Sequence, residues 1–173
     1  MHRIRLAAVL VAVVIPFAPL VAASPASAIP VSAMAARTTT GTVVHIVDGD
    51  TLDVAIAGVK HRIRVLGIDT PEVYNGVECG GRSASTVMKR TLALGATVRL
   101  TSDPSQDSVD RYGRQLRYVT FGHTDVGLSL VKRGWARAYV YNHHPFARAS
   151  QYLRAATSAQ KAHRGVWNRC GGF

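Results

Sequence analysis

The sequence is poor in acidic residues. Only ten Asp and Glu residues accompany twenty-one Lys and Arg residues in a chain of 173, which gives a formal net charge of +11 at pH 7. A positive excess of this size concentrates polyanions near the protein surface and speeds their capture. Nucleic acid is therefore the first partner to consider, and an anionic cell surface or polysaccharide is the next.

The amino terminus has the pattern of a secretory signal peptide. The short positive start MHRIR is followed by the apolar stretch LAAVLVAVVIPFAPLVAA and by the small residues ASA. Removal of residues 1–28 takes away Arg3 and Arg5 and no acid, so the charge falls from +11 to +9. A retained membrane anchor is the alternative, although two prolines make the stretch a poor membrane span. We expect residues 29–40 to form a flexible lead-in and residues 41–173 to form the folded domain.

Cysteine is scarce as well, since Cys79 and Cys170 are the only two. No spacing of Cys and His residues resembles a zinc site. An even pair in an exported chain predicts a disulfide, and two free buried thiols are the alternative. The chain also lacks internal repeats, and its 47% hydrophobic and 18% charged residues are typical of one globular domain rather than a disordered chain.

Hydrophobic periodicity predicts strands first and helices afterwards. Residues 41–69 alternate apolar and polar side chains, and Gly58 marks a turn between strands at residues 51–57 and 60–67. The other predicted elements are a helix at 81–94, a strand at 96–102, a last strand that ends before Gly122, a helix at about 125–134 and a helix that follows Pro145. Five strands and three helices are typical of a small closed β-barrel with helices packed against it, which is an α+β fold.

Four of the ten acids fall in two short runs, VDGDT at 47–51 and IDTPE at 68–72. Each run alone has a structural explanation, because Asp-Gly is a common turn and DTPE has the pattern of a helix start. In a hairpin about Gly58, however, facing positions sum to 115–117, which brings Asp50 within reach of Asp69. Carboxylates crowded together repel unless a cation or a shared proton neutralises them, so the pattern predicts a cation site.

A hard cation that prefers oxygen is the natural occupant of such a site. Asp50 and Asp69 are the predicted carboxylate ligands, and the main-chain carbonyl of Thr70 and water complete the shell. Asp48 is a nearby acid without an assigned role as a ligand. This loose arrangement suits calcium better than the strict octahedron of magnesium, so the predicted cofactor is Ca²⁺.

Basic residues near the acidic runs favour phosphate as the ligand. Arg64 lies five residues before Asp69, and the turn DRYGR places Arg114 after a glycine. Two guanidinium groups and a divalent cation can surround the oxygens of a phosphodiester. Glu72 is then free to act as a general base on water. Because Arg64 alternates with inward-facing neighbours, we expect barrel curvature or a bulge to turn it towards the cation.

The motifs VDGDT, RVLGIDTPE and DRYGR, in this order, resemble those of the staphylococcal nuclease family, and LVKRGWARAYVY resembles the segment that follows them there. The resemblance runs from about Gly41 to Trp167. It implies an OB-fold barrel with three helices and a secreted, calcium-dependent phosphodiesterase that acts on DNA and RNA and leaves 3′-phosphate ends. Matched residue by residue, it implies a catalytic trio of Arg64, Glu72 and Arg114, calcium ligands at Asp50, Asp69 and Thr70, and nucleotide contacts at Tyr112, Tyr139 and Tyr141.

Other functions and one departure stay open at the level of sequence. A nucleic-acid-binding OB module without catalysis is the alternative function, and a basic binder of cell walls is a weaker one that leaves the acids unexplained. The family's basic loop after DTPE is replaced by VYNGVECGGRSAS. His143 and His144 are either metal ligands or a solvated pair. We expect a monomer with no stable protein partner and no membrane attachment once the signal peptide is removed.

Overall fold

Seven strands and one helix precede Val126, and helices dominate the part of the fold that follows. A computed structural model of the protein describes residues 35–74 and 76–173, and the expected signal peptide lies outside them. The strands are β1 (Thr38–Ile46), β2 (Thr51–Ile56), β3 (Val59–Val65), β4 (Ile68–Asp69), β5 (Thr97–Thr101), β6 (Gln115–Phe121), β7 (Thr124–Asp125) and β8 (Arg137–Ala138). The α-helices are α1 (Gly81–Thr91), α2 (Val126–Lys132), α3 (Ala149–Lys161) and α4 (Val166–Arg169), and a 3₁₀ turn spans Tyr141–His143.

The five long strands close into a barrel. Strand β1 pairs antiparallel with β2 and β5, β2 pairs with β3, and β5 pairs with β6. A parallel pairing of β3 with β6, with Ile63 opposite Gln115, completes the circle. The short strands are additions, since β7 extends β6 and β4 pairs with β8. The predicted OB-fold barrel with helices is thus confirmed.

Alternating side chains fill the barrel. Leu52, Val54, Ile63 and Val65 are at most 1% exposed, and they face the interior from the hairpin of β2 and β3. Helix α3 packs on the barrel through Tyr152, which is fully buried and donates its hydroxyl hydrogen bond to Asp125. The interior position of these residues fixes which side chains of the hairpin point outwards.

Some element boundaries differ from those expected. Strand β1 begins at Thr38, inside the expected lead-in, because residues 38–42 pair with residues 97–101 of β5. The DTPE run is not a helix start, since α1 begins only at Gly81. Helix α3 begins at Ala149, so Pro145 lies in the preceding loop rather than in the first turn. Helix α4 was not predicted, because four residues are too few to show a helical period.

The predicted disulfide joins Cys79 to Cys170, and the described residues contain no free cysteine. It connects the loop before α1 to the end of α4, across 91 residues of sequence. Among the described helices, none has the length and apolar character needed to cross a membrane.

Candidate functional site

The VDGDT segment forms a tight turn between β1 and β2. One oxygen of Asp48 accepts hydrogen bonds from the main-chain N–H groups of Asp50 (3.0 Å) and Thr51 (2.7 Å), as a side chain does when it closes a turn. A Cβ atom at Gly49 would lie 2.8 Å from the hydroxyl oxygen of Thr70, so glycine lets the second acidic run pack against the turn. Asp48 therefore shapes the turn, and Asp50 is presented to Thr70.

The two acidic runs converge as the hairpin register predicts. Thr51 stands opposite Arg64, a sum of 115, and the carbonyl of Asp50 accepts a hydrogen bond from the N–H of Val65 at 2.8 Å. One carboxylate oxygen of Asp50 also accepts from the N–H (2.9 Å) and the hydroxyl (3.0 Å) of Thr70. The predicted proximity of the runs is thus confirmed.

Arg64 joins the two carboxylates. Its Nε lies 3.1 Å from an oxygen of Asp50, and a terminal nitrogen lies 3.0 Å from an oxygen of Asp69. The expected bulge is not needed to place it there. Arg64 points away from the barrel interior, in alternation with Ile63, and the chain turns after β3 so that Asp69 folds back beside it. The cluster therefore lies on the outside of the barrel.

Arg137 is a member of the cluster that the sequence did not reveal. It stands opposite Asp69 across β4 and β8, and its Nε and a terminal nitrogen donate to one oxygen of Asp69 at 3.0 and 2.7 Å. Two-residue strands leave no periodic signal in a sequence. The only signal was a basic residue two positions before Tyr139.

Burial and mutual repulsion raise the pKa of two carboxyl groups of the cluster. Asp50 is 6% exposed, and burial raises the pKa of its carboxyl group, while Arg64 lowers this pKa and Asp48 raises it further. Glu72 lies at the surface, where partial dehydration raises the pKa of its carboxyl group and the charges of Asp50, Asp48 and Asp69 raise it further. Ionised carboxylates are thus costly at this place unless positive charge accompanies them.

The residues present fit a hard divalent cation with few protein ligands. Within the described residues, no three His, Cys, Asp or Glu side chains are arranged to hold a metal ion. The oxygens of Asp50 and Asp69 and the carbonyl of Thr70 would be its ligands, and because the carboxylates already accept from arginine and threonine donors, the cation would share or displace those contacts. Calcium accepts such a set when water completes its shell.

The main chain of Glu72 is fixed, whereas its side chain reaches the surface. Its N–H donates to the carboxylate of Glu78 at 3.0 Å, and its carbonyl accepts from the N–H of Glu78 at 3.0 Å. Its carbonyl also contacts Gly81 closely, because a Cβ atom there would overlap it. The loop between Glu72 and Gly81 is therefore held at both ends.

Arg114 lies on a separate turn. It follows Gly113 and directly precedes Gln115, the residue of β6 that pairs with Ile63 of β3. Its guanidinium group is held by Asp110, with Nε 2.7 Å from a carboxylate oxygen. Within the described residues, no hydrogen bond or ion pair links Arg114 to the acidic cluster. The topology places it near the strand that carries Arg64, without direct contact.

The three tyrosines are all available to a ligand. Tyr112, Tyr139 and Tyr141 are 66%, 41% and 53% exposed. Arg111 donates to the hydroxyl of Tyr112 at 2.6 Å, and the main-chain N–H of Tyr139 donates to the carbonyl of Gly67 at 2.9 Å, in the turn between Arg64 and Asp69. Exposed aromatic rings near cations are typical of surfaces on which nucleic-acid bases stack.

Comparison with known proteins agrees with this geometry. Residues 62–169 match the model of the family described as staphylococcal nuclease homologue. The chain is 35% identical over 129 residues to the thermonuclease of Staphylococcus hyicus, which covers 73% of this chain and 74% of the relative. It is also 35% identical over 130 residues to the thermonuclease of Staphylococcus intermedius, covering 73% and 75%. An uncharacterized endonuclease of Haemophilus influenzae is 35% identical over 138 residues, covering 79% and 70%. The chain therefore belongs to the staphylococcal nuclease family.

Proposed function

We propose that the protein is a secreted, calcium-dependent nuclease that hydrolyses phosphodiester bonds of DNA and RNA and leaves 3′-phosphate ends. The observation that carries the proposal is the bridge of Arg64 between Asp50 and Asp69, next to a surface glutamate of raised pKa. The names of its relatives, two thermonucleases and an endonuclease, support a nuclease. The expected signal peptide supports secretion.

Asp50, Asp69 and the carbonyl of Thr70 would hold the calcium ion. When bound, the ion would place positive charge beside the phosphate and hold coordinated water molecules in fixed positions. The buried turn fixes the Asp50 carboxylate through four donors, which are the N–H and hydroxyl of Thr70, the hydroxyl of Thr51 and Arg64. A ligand held in this way loses little entropy on binding.

Glu72 is the proposed general base. A base works best when its pKa approaches the working pH, and the neighbouring carboxylates and partial dehydration shift the pKa of Glu72 in that direction. Its main chain is anchored to Glu78, so the carboxylate can take a proton from water without movement of the backbone. The attacking oxygen then forms a bond to phosphorus, the bond between phosphorus and the 5′ oxygen of the next nucleotide breaks, and that oxygen takes a proton from water.

Arg64 and Arg114 are the proposed phosphate-binding groups. Each presents planar N–H donors that match two phosphate oxygens, and the negative charge on these oxygens grows during displacement. Asp110 fixes the position of Arg114 through Nε, so the terminal nitrogens are free of that contact. Tyr112, Tyr139 and Tyr141 would stack on the bases or sugars without sequence preference.

Cleavage assays test the proposal directly. The purified mature protein is incubated with single-stranded DNA, duplex DNA and RNA in calcium, in magnesium and in a chelator. We expect cleavage of DNA and RNA in calcium, little in magnesium and none in the chelator. A polymerase should extend the 3′ ends of the products only after phosphatase treatment. Full activity after exhaustive chelation would contradict the metal assignment, and binding without cleavage in every condition would indicate a non-catalytic binding module.

A further inference from the structure

Every Asp, Glu, Lys or Arg residue after Asp125 is a basic one. All ten acids precede Val126, and residues 126–173 contain eight Lys and Arg residues. Two of the eight are neutralised, Arg137 by Asp69 and Arg148 by Asp125. The other six form no ion pair within the described residues, and they are Lys132, Arg133, Arg154, Lys161, Arg164 and Arg169.

Three of these cations line one open groove between the end of α2 and α3. The groove has a volume of about 360 Å³, and Lys132, Arg154 and Arg164 contribute its charge. The remaining lining residues are small or uncharged, namely Gln151, Ala155 and Ser158. The lining contains no acid and no aromatic ring, unlike the acidic cluster with its tyrosines.

Close backbone packing preforms the groove. A Cβ atom at Gly134 would overlap the carbonyl of Arg164, and a Cβ atom at Gly165 would overlap the carbonyl of Gly134. The N–H of Val166 donates to the carbonyl of Gly134 at 2.9 Å, which locks the end of α2 to the segment after α3. Arg164 in turn donates to the carbonyl of Lys132 at 3.1 Å. The positive charges are therefore held together, although their repulsion would be relieved if they separated.

We propose that this basic groove is a second nucleic-acid contact, which grips the phosphate backbone of the substrate away from the acidic cluster. Three cations without ion-pair partners on one groove can neutralise phosphates of a polyanion, and Gln151 and Ser158 add hydrogen-bond donors. Because phosphate contacts carry no information about the bases, the contact does not depend on sequence. The identification of the bound anion as nucleic acid rests on the proposed function.

The charge of residues 1–34 favours nucleic acid, rather than this segment of the same chain, as the ligand of the basic groove. Residues 1–34 contain Arg3 and Arg5 and no acid, so their side chains offer no anionic partner for the cations of the groove. An anionic lipid surface is the competing class, but the groove lacks the exposed apolar or aromatic side chains that insert into a bilayer interface.

The test measures DNA binding in the absence of catalysis. Lys132→Gln/Arg154→Gln removes two exposed charges and leaves Arg164 to hold the helix end. The matched control is Arg90→Gln/Arg99→Gln, which removes two exposed cations from α1 and β5. Affinity for a short labelled DNA duplex is measured by fluorescence anisotropy in a chelator over a range of NaCl concentrations. Because no cleavage is involved, the result is independent of whether the protein proves to be a nuclease.

Loss of two phosphate contacts should reduce the slope of log K against log salt by about 1.8, since each contact with duplex DNA contributes about 0.9. The control should keep the slope of the wild type. Equal slopes for the groove variant and the wild type would overturn the proposal, as would equal losses in the groove variant and the control. A groove variant that keeps its DNA slope but loses binding to phosphatidylglycerol vesicles would show a membrane contact instead.

Discussion

Removal of the disulfide should cost the protein a large part of its stability. The double variant Cys79→Ser/Cys170→Ser abolishes a cross-link that spans 91 residues. In the chain-entropy model a closed loop of this length restricts the unfolded chain by about 4.6 kcal/mol at 25 °C. Cys79 is exposed and Cys170 is half-buried, so serine adds little cost of its own in the folded state.

The expected shift in melting temperature follows from the size of the domain. A domain of about 140 residues unfolds with an entropy of about 0.29 kcal/mol per kelvin near 60 °C, so 4.6 kcal/mol corresponds to about 16 °C. The measurement is thermal unfolding by circular dichroism of the wild type and the variant. Urea unfolding should also show a steeper m value in the variant, because its unfolded chain is more expanded.

Two results would refute this reasoning. If the melting temperature of the variant falls by less than about 4 °C, the cross-link contributes less than about 1 kcal/mol and the unfolded chain is already restricted. Thiol titration of the denatured, exported wild type provides the control. Two free thiols in that titration would show that the bond does not form.

The contacts of Asp50, Gly81 and Asp103 lead to three further predictions. Asp50→Asn should lose most of the rise in melting temperature that calcium gives the wild type relative to a chelator, because it removes the charge of a proposed ligand; an equal rise in the variant would contradict this. Gly81→Ala should slow cleavage by more than a loss of folded protein explains, because the new Cβ overlaps the carbonyl of Glu72. A wild-type cleavage rate in a variant with the wild-type melting temperature would contradict this. Burial raises the pKa of the Asp103 carboxyl group, but hydrogen bonds from Tyr118, Ala147 and Ser105 lower it more. Asp103 should therefore contribute stability that is present above about pH 4 and lost as pH falls through its lowered pKa. Asp103→Ala should flatten the dependence of urea unfolding on pH.

The sequence predicts the barrel and the acidic cluster because both depend on local rules. Alternation with β-branched residues defines the strands, and one glycine turn sets the register that brings Asp50 to Asp69. The resemblance of the motifs to the family implies catalytic roles for Arg64 and Glu72, and these roles stay predictions.

Contacts between distant short segments could not be predicted in the same way. The pairing of Arg137 with Asp69 depends on two strands of two residues each, and the basic groove depends on how α2 meets α3. Alternation predicts the outward position of Arg64 correctly, but it does not predict the turn that folds Asp69 back beside it, so the expected bulge was wrong. Such features arise from tertiary packing rather than from periodicity.

Single-turnover cleavage by Glu72→Gln is the most direct test of the nuclease mechanism. The account predicts a fall in rate of about 10²- to 10⁴-fold, the usual contribution of a general base, with calcium-dependent affinity for nucleic acid and melting temperature nearly unchanged. Both quantities are measured on the same preparation, so that loss of folded protein is separated from loss of chemistry. A wild-type rate in this variant would contradict the account and remove Glu72 from the mechanism.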